Sequence, residues 1–263
     1  MRFKRLFSAG LAAAAIVAAG PATVYGAEPS SATKSSVGDA MAPEQKAAFE
    51  EMIRAYILDH PEVVVESLQR WQELQKAESD ERAKAALAEH RDLLENNPAA
   101  PVAGNAKGDV TIVEFFDYRC GYCKRVFPAI QELIETDGNI RYVFKEFPIL
   151  GPDSMVASKA AQAVWFIDPD RYLDFHAALM GARGALNEAR ILDLAEKVGL
   201  DRAEVKKGMD DPQVAETLAG NLGLGRALGV NGTPAFVIGG ELVPGAIDLD
   251  AMKELVAEAR RSS

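Results

Sequence analysis

Cysteine is almost missing from this chain: 263 residues contain two, Cys120 and Cys123, three positions apart. A bridge closing so short a loop removes little entropy from the unfolded chain, so a stabilising disulfide framework is excluded. Histidine is nearly as scarce, with only His60, His90 and His176. None stands at finger-like spacing from the cysteines, and a four-ligand structural zinc site has no support. His60 reads as a helix-start residue, His90 as a surface residue and His176 as structural. Beyond the first twenty residues there is no long apolar run, which argues against a multispan membrane protein. A cationic surplus is absent too, since 29 Lys and Arg stand against 39 Asp and Glu, a formal charge of −10. A surface of that sign repels phosphate backbones, so nucleic acid is not expected as a partner.

What remains is ordinary for a globular chain. Hydrophobic residues make up 48% and charged residues 26%, enough for a real core, and the length allows one sizeable domain with a smaller one, or two small ones. Arg2, Lys4 and Arg5 precede the apolar stretch Leu6 to Ala19, and small residues come after it, which reads as a signal peptide over residues 1–27 cleaved between Ala22 and Glu28. An uncleaved anchor is the alternative. Residues 1–27 hold three basic and no acidic residues, so a chain starting at Glu28 carries a charge of −13. Export implies the periplasm, an oxidising compartment.

Residues 28–42 are rich in Ser, Ala, Thr and Gly and read as a flexible linker. A helical arm comes next over 43–97. Phe49, Met52, Ile53, Tyr56 and Ile57 fall at i, i+3, i+4, i+7 and i+8, and after Asp59-His60-Pro61 a second helix carries Val64, Leu68, Trp71 and Gln75 at rough heptad spacing. The helix then turns Ala- and charge-rich, keeps a weak stripe of Ala83, Leu87, His90 and Leu94, and ends at Asn96-Asn97-Pro98. Two apolar stripes cannot be buried by fifty residues alone. They either pack on the next domain or meet the same stripes of other copies, and the polar stretch Lys76 to Glu89, read as a solvated spacer, favours a homo-oligomer.

The second domain covers 98–263. Val110 to Phe116 reads as a buried strand, Cys123 to Glu135 as a helix with Val126, Phe127, Ile130, Leu133 and Ile134 on one face, and Ile140 to Phe144 as the next strand. This βαβ unit puts Cys120 at a helix N-terminus. Helical patterns broken by Pro169, Gly184, Gly199 and Pro212 fill 152–228, after which Ala235 to Ile238 and Glu241 to Val243 form a hairpin and Leu249 to Arg260 a closing helix. The fold class is therefore α/β.

A redox thiol needs a lowered pKa and access to its partner, and a helix N-terminus offers both. Cys120 has that placement and is read as the nucleophile, with Cys123 one turn further in as the resolving thiol. The stretches EFFDYRCGYCKRVFP (Glu114 to Pro128) and NGTPAFVIGG (Asn231 to Gly240) resemble the DsbA family of thioredoxin-fold proteins, from about Pro101 to the C-terminus. The resemblance implies a thioredoxin fold with an inserted helical domain. It also implies a cis Pro234 after Thr233 as the substrate-binding floor, and no cofactor or resident metal. Glu114 matches a buried acid that relays protons to the resolving cysteine, with Lys145 a possible partner; the other reading has Glu114 facing solvent or an ion-pair partner.

Gly121-Tyr122, between the cysteines, tunes the redox couple, and it is similar to the dipeptide of the periplasmic isomerase DsbC rather than to that of the oxidase. Tyr122 occupies the position of the family's motif histidine. The arm's PEVVVESL (Pro61 to Leu68) resembles the suppressor of copper sensitivity (ScsC) family, whose arms associate into trimers in some members. The resemblance implies a periplasmic thiol-disulfide isomerase or reductase acting on unfolded or misoxidised exported proteins. A membrane thiol reductase would keep it reduced, with a protective role under copper stress. A DsbA-like oxidase is one alternative, and a Cu(I) carrier using Cys120 and Cys123 as soft ligands is another. Phe116, Tyr118, Tyr122 and Phe127 are candidates to line a client groove, with core an equal reading for Phe116 and Phe127.

Overall fold

A computed structural model describes residues 41–262, so the expected signal peptide, and the linker up to residue 40, lie outside the described residues. The chain divides into two compact units between Glu66 and Ser67. The first contains α1 (Pro43–Asp59), which opens with Pro43 at its first position, where the absent N–H costs nothing. None of its residues is buried, and Phe49, Met52, Ile53, Tyr56 and Ile57 are all exposed. Helix α2 (Glu62–Glu89) crosses the division. Its Ala- and charge-rich part stays helical with the help of one-turn ion pairs, Lys76 to Asp80 at 2.7 Å, Arg82 to Glu78 at 3.5 Å and Lys84 to Glu81 at 3.3 Å. No helix among the described residues is long and apolar enough to cross a membrane.

The second unit is built on a five-stranded sheet. In chain order, α2 is followed by α3 (Arg91–Glu95), β1 (Val102–Gly104), β2 (Val110–Phe116), α4 (Gly121–Asp137) and β3 (Ile140–Glu146). Then come α5 (Pro152–Ile167), α6 (Tyr172–Gly181), α7 (Glu188–Lys197), α8 (Arg202–Gly208) and α9 (Pro212–Ala227), and finally β4 (Ala235–Ile238), β5 (Glu241–Pro244) and α10 (Leu249–Ser262). The strand order is β1-β3-β2-β4-β5, with β2 and β3 parallel and the other pairs antiparallel. This is the thioredoxin arrangement, with α5 to α9 inserted between β3 and β4. Strand β1 is not foreseen from the sequence, because three residues are too few to show a period.

The register sorts side chains onto two faces. Ile112, Glu114 and Phe116 of β2 stand beside Tyr142, Phe144 and Glu146 of β3, on the face covered by α4, α10 and the inserted helices. Val113, Phe115 and Val143 point the other way, into a cluster with Leu87, Leu94, Ala100, Phe147, Leu224 and Leu228. Leu87 and Leu94 of the weak stripe are thus core residues of this unit, and the solvated reading of Lys76 to Glu89 does not hold at Leu87.

Lys145 belongs to this second face. It is fully buried, and its Nζ donates to Leu93 O at 2.8 Å, at the C-terminal end of α3. Arg141 donates to Glu95 O at 2.5 Å and Gln162 to Ala99 O at 2.8 Å, so three side chains hold the carbonyls of residues 93–99. Lys145 is therefore not the partner of Glu114: it pairs with Phe115 across the strands, one pleat out of phase.

On the same face α9 approaches closely at Gly225, where a Cβ would overlap the ring of Phe147. Gly225→Val is expected to lower stability by about 2 kcal/mol or more in urea unfolding, since the overlap outweighs the gain of about 0.4 kcal/mol in helix propensity from replacing glycine by valine.

Candidate active site

Strand β2 ends at Phe116, and four residues later α4 begins with Cys120 as its N-cap. The turn is closed by Cys120 N donating to Asp117 O at 3.0 Å. Cys120 Sγ accepts the Cys123 N–H at 3.3 Å, as a capping side chain does, and its thiol donates to Thr233 O at 3.1 Å. The Thr233–Pro234 peptide is cis. Cys120, Cys123, Thr233 and Pro234, drawn from two segments more than a hundred positions apart, thus meet at one end of the sheet. Gly121 and Tyr122 form the exposed first turn of α4; Tyr122 is 57% exposed and lies under the Arg125 guanidinium at 4.8 Å.

The two cysteines are electrostatically unlike. The Cys123 thiol, the Thr233 side chain and the backbone N–H groups of Cys123 and Tyr122 all favour the charged form of Cys120, pulling it down to about 5 against the opposing effect of burial. Burial pushes Cys123 well up, and the hydrogen bond to Cys120 and the nearby Glu114 push it further. One thiol is poised as a thiolate and the other is held as a thiol.

Glu114 lies on the α4 side of β2, 1% exposed, with Oε2 accepting from Tyr142 Oη at 2.8 Å and Oε1 without a partner. Burial raises it to about 8, and the charge of Cys120 adds to this. An acid so placed can exchange a proton near neutral pH with a group close by, and Cys123 is electrostatically coupled to it.

Asp117 and Lys124 are not singled out by the sequence alone, whereas Phe116, Tyr118, Phe127 and His176 are, and lie in or against the core. Asp117 is fully buried and accepts four hydrogen bonds: Arg119 N at 2.7 Å and Ser154 Oγ at 2.8 Å on one oxygen, Ile149 N at 2.9 Å and Leu150 N at 3.0 Å on the other. Its only sequence signal is an acid between a buried strand and the cysteine motif. Tyr118 is completely buried, so it lines no groove; Phe116 is core as well, and Phe127 is half-buried against it. His176 is enclosed by the rings of Phe116, Tyr118, Phe127, Phe144 and Tyr172. Lys124 donates to Leu179 O and Ala182 O at the end of α6, tying the cysteine helix to the insertion. Among the described residues no group of three or more His, Cys, Asp or Glu is placed to hold a metal ion.

A capped, thiolate-favouring cysteine facing a cis-proline loop at the end of a thioredoxin sheet defines a thioredoxin-fold dithiol protein. More narrowly, the chain belongs to the DSBA-like thioredoxin domain family, whose model matches residues 111–257. Residues 45–78 match the copper resistance protein ScsC N-terminal domain. A thioredoxin-like oxidoreductase from Silicibacter pomeroyi is 44% identical, covering 66% of this chain and 99% of its own, with a TM-score of 0.63. A linker-deletion variant of Proteus mirabilis ScsC is 30% identical, covering 85% of this chain and 99% of its own, with a TM-score of 0.66. Disulfide bond formation protein D of Bacillus subtilis is 28% identical over 59% of this chain and 75% of its own length. The chain spans only 24% and 29% of two curated Salinispora relatives named as sodium/proton antiporters.

Proposed function

We propose that the chain is a periplasmic thiol-disulfide oxidoreductase whose main work is to isomerise or reduce wrong disulfides in exported proteins. The observation that carries this reading is the Cys120 thiolate, capped by Cys123 N–H and facing the cis Thr233–Pro234 loop. The Cys120 thiolate attacks one sulfur of a client disulfide; that S–S bond breaks, the other client sulfur leaves as a thiolate, and a mixed disulfide forms. This intermediate has two exits. A client thiolate can attack the mixed disulfide, which shuffles bonds with no net electron change and regenerates Cys120. Otherwise Cys123, after giving its proton to Glu114, attacks Cys120 Sγ, releases the client thiol and leaves a Cys120–Cys123 disulfide. The client has then gained two electrons, which a membrane thiol reductase must replace.

The raised Cys123 slows the second exit and leaves the client time to rearrange, which favours shuffling. Gly121-Tyr122 and the arm support the same reading. On α1 the apolar residues Phe49, Ile53 and Tyr56 are exposed, and on α2 so are Leu68, Trp71 and Leu74. We assign these stripes to contacts between copies, in a trimer through the part of the arm ahead of Lys76 that holds several sites around one client. The ScsC match adds a setting, repair of disulfides formed by copper-driven oxidation.

The test compares the full chain with a Phe49→Glu, Ile53→Glu, Tyr56→Glu variant on scrambled ribonuclease in a glutathione buffer, with mass measured by light scattering. The expected result is an oligomer that restores ribonuclease activity and a monomeric variant at least about fivefold slower, though still active in simple exchange with a peptide disulfide. Equal behaviour of both, with activity only in oxidising reduced ribonuclease, establishes the oxidase reading that the Bacillus relative's name favours.

A further inference from the structure

The face of the sheet that holds Glu114 carries a second buried acid, Glu146, which the exchange chemistry does not use. It ends β3 with no exposed surface. Its partners are three hydroxyls: Tyr118 Oη at 3.1 Å and Tyr172 Oη at 3.3 Å on Oε1, and Ser158 Oγ at 2.7 Å on Oε2. They come from the loop before Cys120, from α6 and from α5. A buried carboxyl is costly, and its protonated form is favoured: burial raises Glu146 to about 8, with Asp117 adding to the effect. A neutral acid of this kind presents a carbonyl oxygen to the two tyrosines and shares its proton with Ser158.

Tyr118 is held from a second side. His176 Nδ1 lies 2.9 Å from the same Tyr118 Oη, while His176 Nε2 has no partner. Burial lowers His176 to about 3, so the ring is neutral. An orphaned buried acceptor is better tolerated than an orphaned N–H, which places the proton on Nδ1. His176 therefore donates to Tyr118, and Tyr118 donates to Glu146. The Tyr118 ring also stands edge-on to Phe116, with centroids 5.2 Å apart. Asp117, the residue before it, is fixed by its own four bonds. With both side chains anchored, the loop presents Cys120 in one position.

We propose that Glu146 is a positioning residue for Cys120, acting through Tyr118 to fix the loop from Asp117 to Cys120 so that Sγ stays in line with the Cys123 N–H. This rests on Cys120 being the nucleophile. The groups facing Cys120 are the Cys123 thiol and N–H and the Tyr122 N–H from α4, Thr233 from the loop before β4, and, by charge alone, Glu114 from β2. Those facing Glu146 are Tyr118, Ser158, Tyr172 and the Asp117 carboxylate. Of the hydroxyls bonded to Glu146, that of Tyr118 is the one carried by the loop that leads to Cys120.

The experiment follows thiolate absorbance and alkylation of Cys120 against pH in the reduced full chain. Tyr118→Phe removes the loop's bond to Glu146 together with the one from His176, and is expected to raise the Cys120 midpoint by about half a pH unit or more, a change of about threefold in ionisation constant; Glu146→Leu, which spares the His176 side, separates the two. Ser158→Ala removes another bond to the same carboxyl and is expected to leave the midpoint within about 0.2 units of wild type, whatever it does to melting temperature. A folded Tyr118→Phe variant with the wild-type midpoint overturns the proposal, and so does an equal shift in Ser158→Ala. If Tyr118→Phe does not fold, Glu146→Leu should raise the midpoint while Glu146→Gln, which keeps a carbonyl for Tyr118, should not; equal midpoints overturn it. A wild-type midpoint near that of a free thiol would instead defeat the assignment of Cys120 as nucleophile.

Discussion

Cys120→Ser is expected to reduce thiol-disulfide exchange to the uncatalysed background, whereas Cys123→Ser should complete the first attack and stop, accumulating a covalent adduct with a client peptide on non-reducing gels. Cys120 is the sulfur at the helix terminus with donors aimed at it, and Cys123 is fully buried with its thiol form favoured. An adduct in Cys120→Ser and none in Cys123→Ser would reverse the roles. The pH profile of alkylation adds a second check. With Cys120 near 5, almost all of it is thiolate at pH 7, against about 1% for a thiol at 9, a gain of about a hundredfold in the reactive form. Nucleophilicity falls as the thiol becomes more acidic, by roughly sixtyfold over four units, so the two effects nearly cancel at neutral pH. The rate should therefore level off above about pH 6 rather than climb tenfold per unit towards 9.

The same ionisation couples redox state to stability. A group whose folded pKa is depressed adds stability that is complete above its unfolded value and is lost as pH falls through the folded one. Here the window runs from about 9 down to about 5, and only the dithiol form contains the thiolate. The stability of the dithiol form relative to the disulfide form should thus rise with pH across that window. Chemical unfolding of both forms at several pH values checks the sign.

The second large effect concerns where the catalytic unit begins. A chain starting at Pro101 is expected to lose about 5 kcal/mol of stability relative to one starting at Lys76, which should unfold at the same urea concentration as the full chain. Leu87 and Leu94 are 5% and 2% exposed, and burying a leucine contributes about 2 to 3 kcal/mol. The shorter chain lacks both, and with them Ala100 and the carbonyls that receive Lys145, Arg141 and Gln162. Against the roughly 5 to 15 kcal/mol typical of a domain, such a loss leaves little. Equal midpoints for the two truncated chains would show that residues 76–100 add nothing to the fold.

That boundary also shows what the sequence can and cannot disclose. Val110–Phe116, the helix after the cysteines and the strand from Ile140, read as far as Phe144 though it runs on to Glu146, are legible because long apolar runs and a 3.6 period are local properties. Pro98 looks like a domain edge, whereas the residues that join α2 and α3 to the core, Leu87 and Leu94, are one weak stripe among charged neighbours. Strand register is invisible. Glu114 and Lys145 look like partners on adjacent strands, but pairing Phe115 with Lys145 puts the amine on the far face. In the site, the cysteines and the Thr-Pro pair are legible as motifs. Tyr118, Glu146 and His176 are not, because 28 positions separate the first two and 58 the first and last, and no local pattern announces a meeting of distant polar side chains in a core.

The sheet ends on two meagre edges: β1 has three residues, and β5 has four and finishes at Pro244, which has no N–H to offer. The clients proposed above would be extended segments able to join a strand. Here neither rim offers a long, regular row of free backbone groups, so sheet extension would not capture them at a place where no chemistry happens. Under the proposed function, encounters are left to the cysteine end, and the protein would be protected from co-aggregating with its clients.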